Sequence, residues 1–276
     1  MSGDRRLTPF SGRVAHRSLA AIMPGVALTD GRAARIGRGV VDLDRAQAGA
    51  RDRQLIWGDR VLVIDEDRGR SFVMAEKDGY CGWLDSAALG PDLATTHRVV
   101  QSFSQIYPLA DFKERELATL PMGAQVQVLA EEGRFALTPS GHVPLAHLRR
   151  LDTPETDPVA VASRLLGAPY LWGGNSGAGI DCSGLAQAAM LACGVACRGD
   201  SDLQSAQGVP VAPGDALIPG DLVFWKGHVA LVSGPDEIIH ATAAFMAVVR
   251  ESLSGAIARI EAQGGGPVTH RRRLMP

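Results

Sequence analysis

Cys182 stands between a glycine-rich loop and an apolar run with helical spacing. The loop reads Pro169-Tyr-Leu-Trp-Gly-Gly-Asn-Ser-Gly-Ala-Gly-Ile-Asp-Cys182-Ser-Gly-Leu, and Leu185, Ala188, Ala189, Leu191 and Ala192 follow as the helix face. The thiol therefore falls at a helix start, where backbone N–H groups and the positive dipole end favour an anion. That is a setting for a thiolate nucleophile near neutral pH. A nucleophile needs a base. Pro219-Gly-Asp-Leu-Val-Phe-Trp-Lys-Gly-His228-Val-Ala-Leu-Val reads as two apolar strands around a glycine turn, with His228 opening the second. Glu237-Ile-Ile-His240-Ala is another short strand with a second histidine. A helix-borne Cys, a strand-borne His and a third polar group on the next strand can act as nucleophile, base and orienter. The plain alternative is a buried Cys with two satisfied histidines.

Five stretches, taken together, resemble the NlpC-type cysteine peptidases over roughly residues 155–260. They are the Trp-Gly-Gly loop, Asp-Cys-Ser-Gly, Pro-Gly-Asp-Leu-Val-Phe, Gly-His-Val-Ala-Leu-Val and Ile-Ile-His-Ala. The resemblance implies an α+β papain-like catalytic domain, with N-terminal helices packed on an antiparallel sheet. It makes Cys182 the nucleophile, His228 the base and His240 the orienting residue. It also implies a pocket for the free N-terminal L-Ala and γ-linked D-Glu of a muropeptide. Asp181 and Ser183, flanking the nucleophile, would bind there, with Trp172 and Ser201 lining the pocket and Gln204 in the same stretch as Ser201. From position alone, Asp181 and Ser183 are equally well explained as helix-capping residues. The family often carries Arg directly before the Asp-Ser pair, whereas this chain reads Arg198-Gly-Asp-Ser201, so the register of Arg198 departs from the pattern.

The composition fits a globular protein of two or three domains: 276 residues, 46% hydrophobic, net charge −2. No basic patch argues for nucleic acid. The one dense cluster, His270-Arg-Arg-Arg273, reads as a solvated tail. Residues 1–30 lack an apolar stretch of signal-peptide length, and no segment approaches the ~20 apolar residues of a membrane span. Cys81, Cys182, Cys193 and Cys197 do not form a disulfide framework in so long a chain. Cys193 and Cys197 lack the companion ligands of a zinc site and read as packing residues. The expectation is a monomer in a reducing cytoplasm, with no cofactor or metal and no nucleic-acid or membrane partner.

Ahead of the catalytic region the chain is strand-rich. Residues 1–25 read as an irregular leader, followed by Gln54-Leu-Ile-Trp-Gly-Asp-Arg-Val-Leu-Val-Ile, Ser71-Phe-Val-Met-Ala and Tyr80-Cys-Gly-Trp-Leu. Arg45 to Arg53 reads as a helix-like or looped insertion. A second unit, from about Thr95 to Leu151, repeats the order: Ala124-Gln-Val-Gln-Val matches Asp59-Arg-Val-Leu-Val, and a closing strand ends in leucine in both. The pair resembles tandem bacterial SH3-like barrels. The expected domains are 1–92 (leader and first small all-β barrel), 93–152 (second barrel) and 153–276 (peptidase). Asp152-Thr-Pro-Glu-Thr-Asp-Pro158 serves as linker, and residues 159–166 as a helix. The resemblance implies that Tyr80 of the first barrel reaches the active site to hydrogen-bond an oxyanion or amine. Asp59 stands where relatives often carry a Glu that helps hold the amine. Ordinary barrel surface is the plain alternative for both.

These readings converge on a cysteine peptidase cutting the γ-D-glutamyl–diamino acid bond of short murein peptides with a free N-terminal L-Ala. It would release L-Ala-D-Glu for recycling. The alternatives are a hydrolase of intact peptidoglycan and a non-catalytic wall-peptide-binding protein.

Overall fold

A computed structural model describes residues 3–275. The chain divides after Asp152 into two compact units.

The first unit is almost entirely β-structure. Seven antiparallel strands form one sheet in the order Arg51–Ile56, Val40–Asp44, Cys81–Asp85, Arg70–Ala75, Arg60–Asp67, Arg32–Ile36, Leu89–Gly90. Side chains alternate across such strands. One face gathers Ala34, Ile36, Leu43, Leu55, Val61, Val63, Val73 and Leu84 into a core. Asp67 and Arg70 pair across a two-residue turn, where Arg68 and Gly69 both take positive φ (50° and 77°), as a tight hairpin requires. Of the stretch Arg45 to Arg53, residues 45–50 are a hairpin loop closed by the Arg45 N–H on the Ala50 carbonyl, with no helix, and Arg51 to Arg53 already belong to the Arg51–Ile56 strand. The leader is also more ordered than its composition suggests. Val14–His16 pairs in parallel with Ala27–Thr29, Val14 packs on Ile64, Phe72, Cys81 and Trp83, and Arg13 bridges to Asp65 at 2.7 Å. From His97 onward, short strands close over a separate core of Val99, Ile106, Leu120, Ala124, Val126 and Val143.

The second unit is built on a six-stranded antiparallel sheet. Its order is Val209–Pro210, His270–Arg273, Leu222–Trp225, His228–Gly234, Glu237–Thr242, Ala247–Ser252. Four helices accompany it: α1 (Pro158–Ser163), α2 (Cys182–Ala192), α3 (Ser201–Gln204) and α4 (Leu253–Ala262). Val223, Ala230, Val232 and Ile238 pack with Leu253, Ala256, Ile257 and Ile260 of α4. The alternate positions, Leu222, Phe224, Val229, Leu231, Ile239 and Ala241, are buried too, so both faces of the central strands are covered. Asp157 caps α1 through the Val159 and Ala160 N–H groups, with Pro158 at the first helical position where its missing donor costs nothing.

The basic cluster His270–Arg273 is a strand of this sheet and not a solvated tail. It pairs with Leu222–Trp225; Arg273 makes two 2.8 Å bonds to the buried Asp221 carboxylate, and Arg272 Nε donates to the Ser205 carbonyl at 2.6 Å. A run of like charges reads as solvated only until its partners are known, and both partners here lie more than 50 residues upstream.

No described helix is long and apolar enough to cross a membrane. The four cysteines are buried and form no disulfide, and no cluster of potential metal ligands occurs among the described residues.

Candidate active site

The nucleophile position is set by a cap. Asp181 precedes α2 in an extended conformation, and its Oδ1 accepts from the Gly184 N–H at 2.6 Å and the Ser183 hydroxyl at 2.9 Å. Oδ2 accepts from the Gly173 N–H at 3.0 Å, tying the Trp-Gly-Gly loop to the helix start. Gly184 is needed where it stands, because a Cβ there would lie 2.6 Å from the Gly174 carbonyl oxygen. Cys182 thus opens α2 as a buried residue, 8% exposed.

Helix α2 packs on the strands that carry the histidines, His228–Gly234 and Glu237–Thr242. His228 follows the tight Lys226-Gly227 turn, with Gly227 at φ 73°, and its ring lies 5.7 Å from that of Trp225. His240 is fully buried. The two rings meet through His228 Nε2 and His240 Nδ1 at 2.9 Å. Since Nε2 of His228 is engaged, Nδ1 is the ring nitrogen left for the thiol. The backbone brings them together: the N–H of Val229, the residue after His228, reaches the Cys182 thiol.

Burial governs the charges here. It pushes the Cys182 thiol up to about 12, with the Asp181 carboxylate adding to the rise, while the N–H groups of Val229, Ser183 and Cys182 itself oppose it. Burial likewise pushes His228 down to about 3 and His240 down to about 4. Burial thus works against the thiolate that the helix start favours, and toward the neutral form of both imidazoles.

The remaining expected site residues are distributed as follows. Asp181 and Ser183 sit at the nucleophile, both in the capping arrangement. Trp172 is 67% exposed on the loop before Cys182. Ser201 opens α3. Gln204, fully buried on the same helix, donates through Nε2 to the carbonyls of Ser183 (2.9 Å) and Arg198 (3.0 Å), bracing the first turn of α2. Arg198 therefore enters this brace through its backbone. In the β-rich unit, Tyr80 is 2% exposed and belongs to the hydrophobic core, with the Arg53 guanidinium 5.4 Å from its ring centroid. Neither Tyr80 nor Asp59 is ordinary barrel surface. The Asp59 carboxylate is buried, accepts the Ile56 N–H at 2.9 Å and meets Lys77 at 2.6 Å. It therefore holds a turn and an ion pair within its own unit.

Two residues that the sequence reading passed over lie behind His240. Glu251 Oε2 is 3.2 Å from His240 Nε2, and Arg259 of α4 grips the same carboxylate at 3.0 and 2.7 Å. An acid on the strand beside a histidine strand, at a position sharing its face, was the available signal. It becomes legible only with the register His240↔Val249, which puts Glu251 two residues along on that face.

With this geometry in place, comparison with known proteins is informative. The NlpC/P60 family model matches residues 167–261, and that of the bacterial dipeptidyl-peptidase Sh3 domain matches residues 43–89. A gamma-D-glutamyl-L-lysine dipeptidyl-peptidase of Bacillus subtilis strain 168 is 29% identical over 214 residues, 68% of this chain and 71% of that protein. Dipeptidyl-peptidase 6 of Lysinibacillus sphaericus is 39% identical over 84 residues, 30% of this chain and 31% of that one, so that match spans less than a third of the relative. The crystal structure of an NlpC/P60 family protein from Bacillus cereus ATCC 10987 superposes with a TM-score of 0.77 at 22% identity, over 89% of this chain and all of that one. The fold, the cysteine at the head of α2 and the matched segments agree: the chain is a hydrolase that carries an NlpC/P60 cysteine peptidase domain and a bacterial dipeptidyl-peptidase SH3 domain.

Proposed function

We propose that the protein hydrolyses the γ-D-glutamyl–diamino acid bond of short murein peptides bearing a free N-terminal L-Ala. The products are L-Ala-D-Glu and the diamino acid portion, and the setting is murein-peptide recycling in the cytoplasm by a monomer. The observation that carries the chemistry is the buried line from Cys182 at the helix start to the hydrogen-bonded His228–His240 pair. The substrate class is supported by the names of two relatives matched over 68% and 69% of this chain, both gamma-D-glutamyl-L-lysine dipeptidyl-peptidases.

In this reading His228 takes the thiol proton as Cys182 attacks the γ-carbonyl carbon of D-Glu. The N–H of Cys182 and a neighbouring donor receive the oxyanion. His228 returns the proton to the leaving amine, and water then hydrolyses the thioester. Asp181 receives the substrate ammonium beside Ser183, with Trp172 and Ser201 lining the pocket. An ammonium seated on Asp181 also cancels one of the two influences that hold the thiol protonated, so the right substrate helps to activate its own nucleophile. A carboxylate desolvated without that partner is costly, which disfavours blocked peptides.

The test is a paired mass-spectrometric assay on L-Ala-γ-D-Glu-diaminopimelate with a free or acetylated N-terminus. Release of L-Ala-D-Glu from the free peptide alone supports the proposal. Cleavage of both removes the amine requirement and points to intact peptidoglycan as substrate. Cleavage of neither, by folded protein, overturns the substrate reading.

A further inference from the structure

His240 is fully buried, and its Nε2 has no hydrogen bond of good geometry. A polar atom left unsatisfied in a core is costly, so its surroundings must offer a partner. The neighbour is Glu251, whose Oε2 lies 3.2 Å away, close enough for a small ring or carboxylate rotation to complete the bond. Arg259 fixes that carboxylate with two bonds and holds it well below the usual carboxylate range. The Arg259 guanidinium also stacks 5.3 Å from the Phe245 ring centroid.

We infer that Glu251, held by Arg259, is a positioning residue that sets the tautomers of both active-site histidines. An ionised carboxylate only accepts hydrogen bonds. His240 must therefore carry its proton on Nε2, which leaves Nδ1 as an acceptor. His228 must then donate from Nε2 across the 2.9 Å contact, which leaves its Nδ1 lone pair unprotonated. That is the one form of neutral His228 able to take the Cys182 proton through Nδ1. When it does, the proton moves from Sγ to Nδ1, and the imidazolium formed faces a chain of acceptors ending in a negative charge. The direction of every hydrogen bond in the line follows from the carboxylate at its far end. A staple between α4 and the Ala247–Ser252 strand is the competing role for the same ion pair.

This inference rests on the reading of Cys182 as nucleophile and His228 as base, and its test is separable from the substrate assignment. Long-range ¹H–¹⁵N spectra of the histidine rings, taken on the full chain without substrate, report which nitrogen is protonated. Wild type should show both His228 and His240 protonated at Nε2. In Glu251→Gln, Arg259 claims the amide oxygen and the NH₂ faces His240, so both tautomers should reverse to Nδ1. The γ-D-glutamyl tripeptide should then turn over with kcat lower by about 100-fold and KM within about twofold. Arg259→Lys keeps the carboxylate, so it should keep the wild-type tautomers and lose less than about tenfold in kcat. Wild-type His240 protonated at Nδ1 overturns the inference, as does Glu251→Gln with unchanged tautomers, whether or not its activity falls. The wild-type spectrum decides even if the glutamine variant fails to fold. A wrong substrate assignment would leave the spectra untouched and appear only as absent wild-type turnover.

Discussion

Asp59 in the β-rich unit and His240 in the peptidase unit are both buried, but their surroundings treat charge differently. Asp59 meets Lys77 at 2.6 Å, and Asp65 meets Arg13 at 2.7 Å, so each of these buried carboxylates has a cation beside it. His228 and His240 instead meet each other, Cys182 is reached by the N–H of Val229 next to His228, and burial presses all three toward their uncharged forms. An ion pair fixes charge in place. A neutral hydrogen-bonded line leaves one proton free to move when a substrate is attacked. The same desolvation thus serves stability in one unit and poised chemistry in the other.

That contrast can be broken by substitution. Cys182→Ala should abolish turnover with the fold intact; residual hydrolysis by the purified, folded variant would remove Cys182 from the mechanism. Loss of the base in His228→Ala should lower kcat by about 10²–10⁴-fold, measured with the free tripeptide. Lys77→Met should act on stability and not on chemistry. It leaves the Asp59 carboxylate buried without its cation, at a cost of about 3 kcal/mol in urea unfolding, with kcat per folded molecule unchanged. A neutral effect would mean that the pair is solvated and the contrast between the units overdrawn. His240→Ala should be milder than His228→Ala, on the order of 10- to 100-fold, because water can partly replace an orienting ring. Equal losses would give His240 more than an orienting part.

The smallest effect is on the pH dependence of stability. The histidines ordinarily titrate near 6.5, and folding lowers both. As pH falls through 6.5 the unfolded chain takes up protons first. Their contribution is therefore full above pH 6.5 and is lost progressively toward pH 4 and below. Urea midpoints between pH 7 and 4.5 should fall more steeply for wild type than for His240→Asn. Parallel slopes would mean that the ring is not held neutral.

Much of the chemistry was legible because it depends on local rules. An Asp before a Cys-Ser-Gly run reads as a cap at a helix start, and a glycine turn before His228 reads as a hairpin. What stayed hidden depends on register and on long-range pairing. Glu251 looks like a surface acid until the His240↔Val249 pairing puts it on the histidine face. Arg272 and Arg273 look like a solvated tail until Ser205 and Asp221 are brought beside them. The helix start at Cys182 is legible in the sequence, but its weight against burial cannot be judged without the structure, which buries Cys182.

The central claim is that Cys182 rests as a neutral thiol beside a neutral His228. The direct measurement is the rate of alkylation of Cys182 by iodoacetamide as a function of pH, without substrate, followed by peptide mass spectrometry. A rate that is low at pH 5–7 and still climbing above pH 9 is the expected result, because only the thiolate reacts and burial holds its pKa high. A rate already at its plateau from pH 5 upward would show a resting thiolate–imidazolium pair and contradict the account.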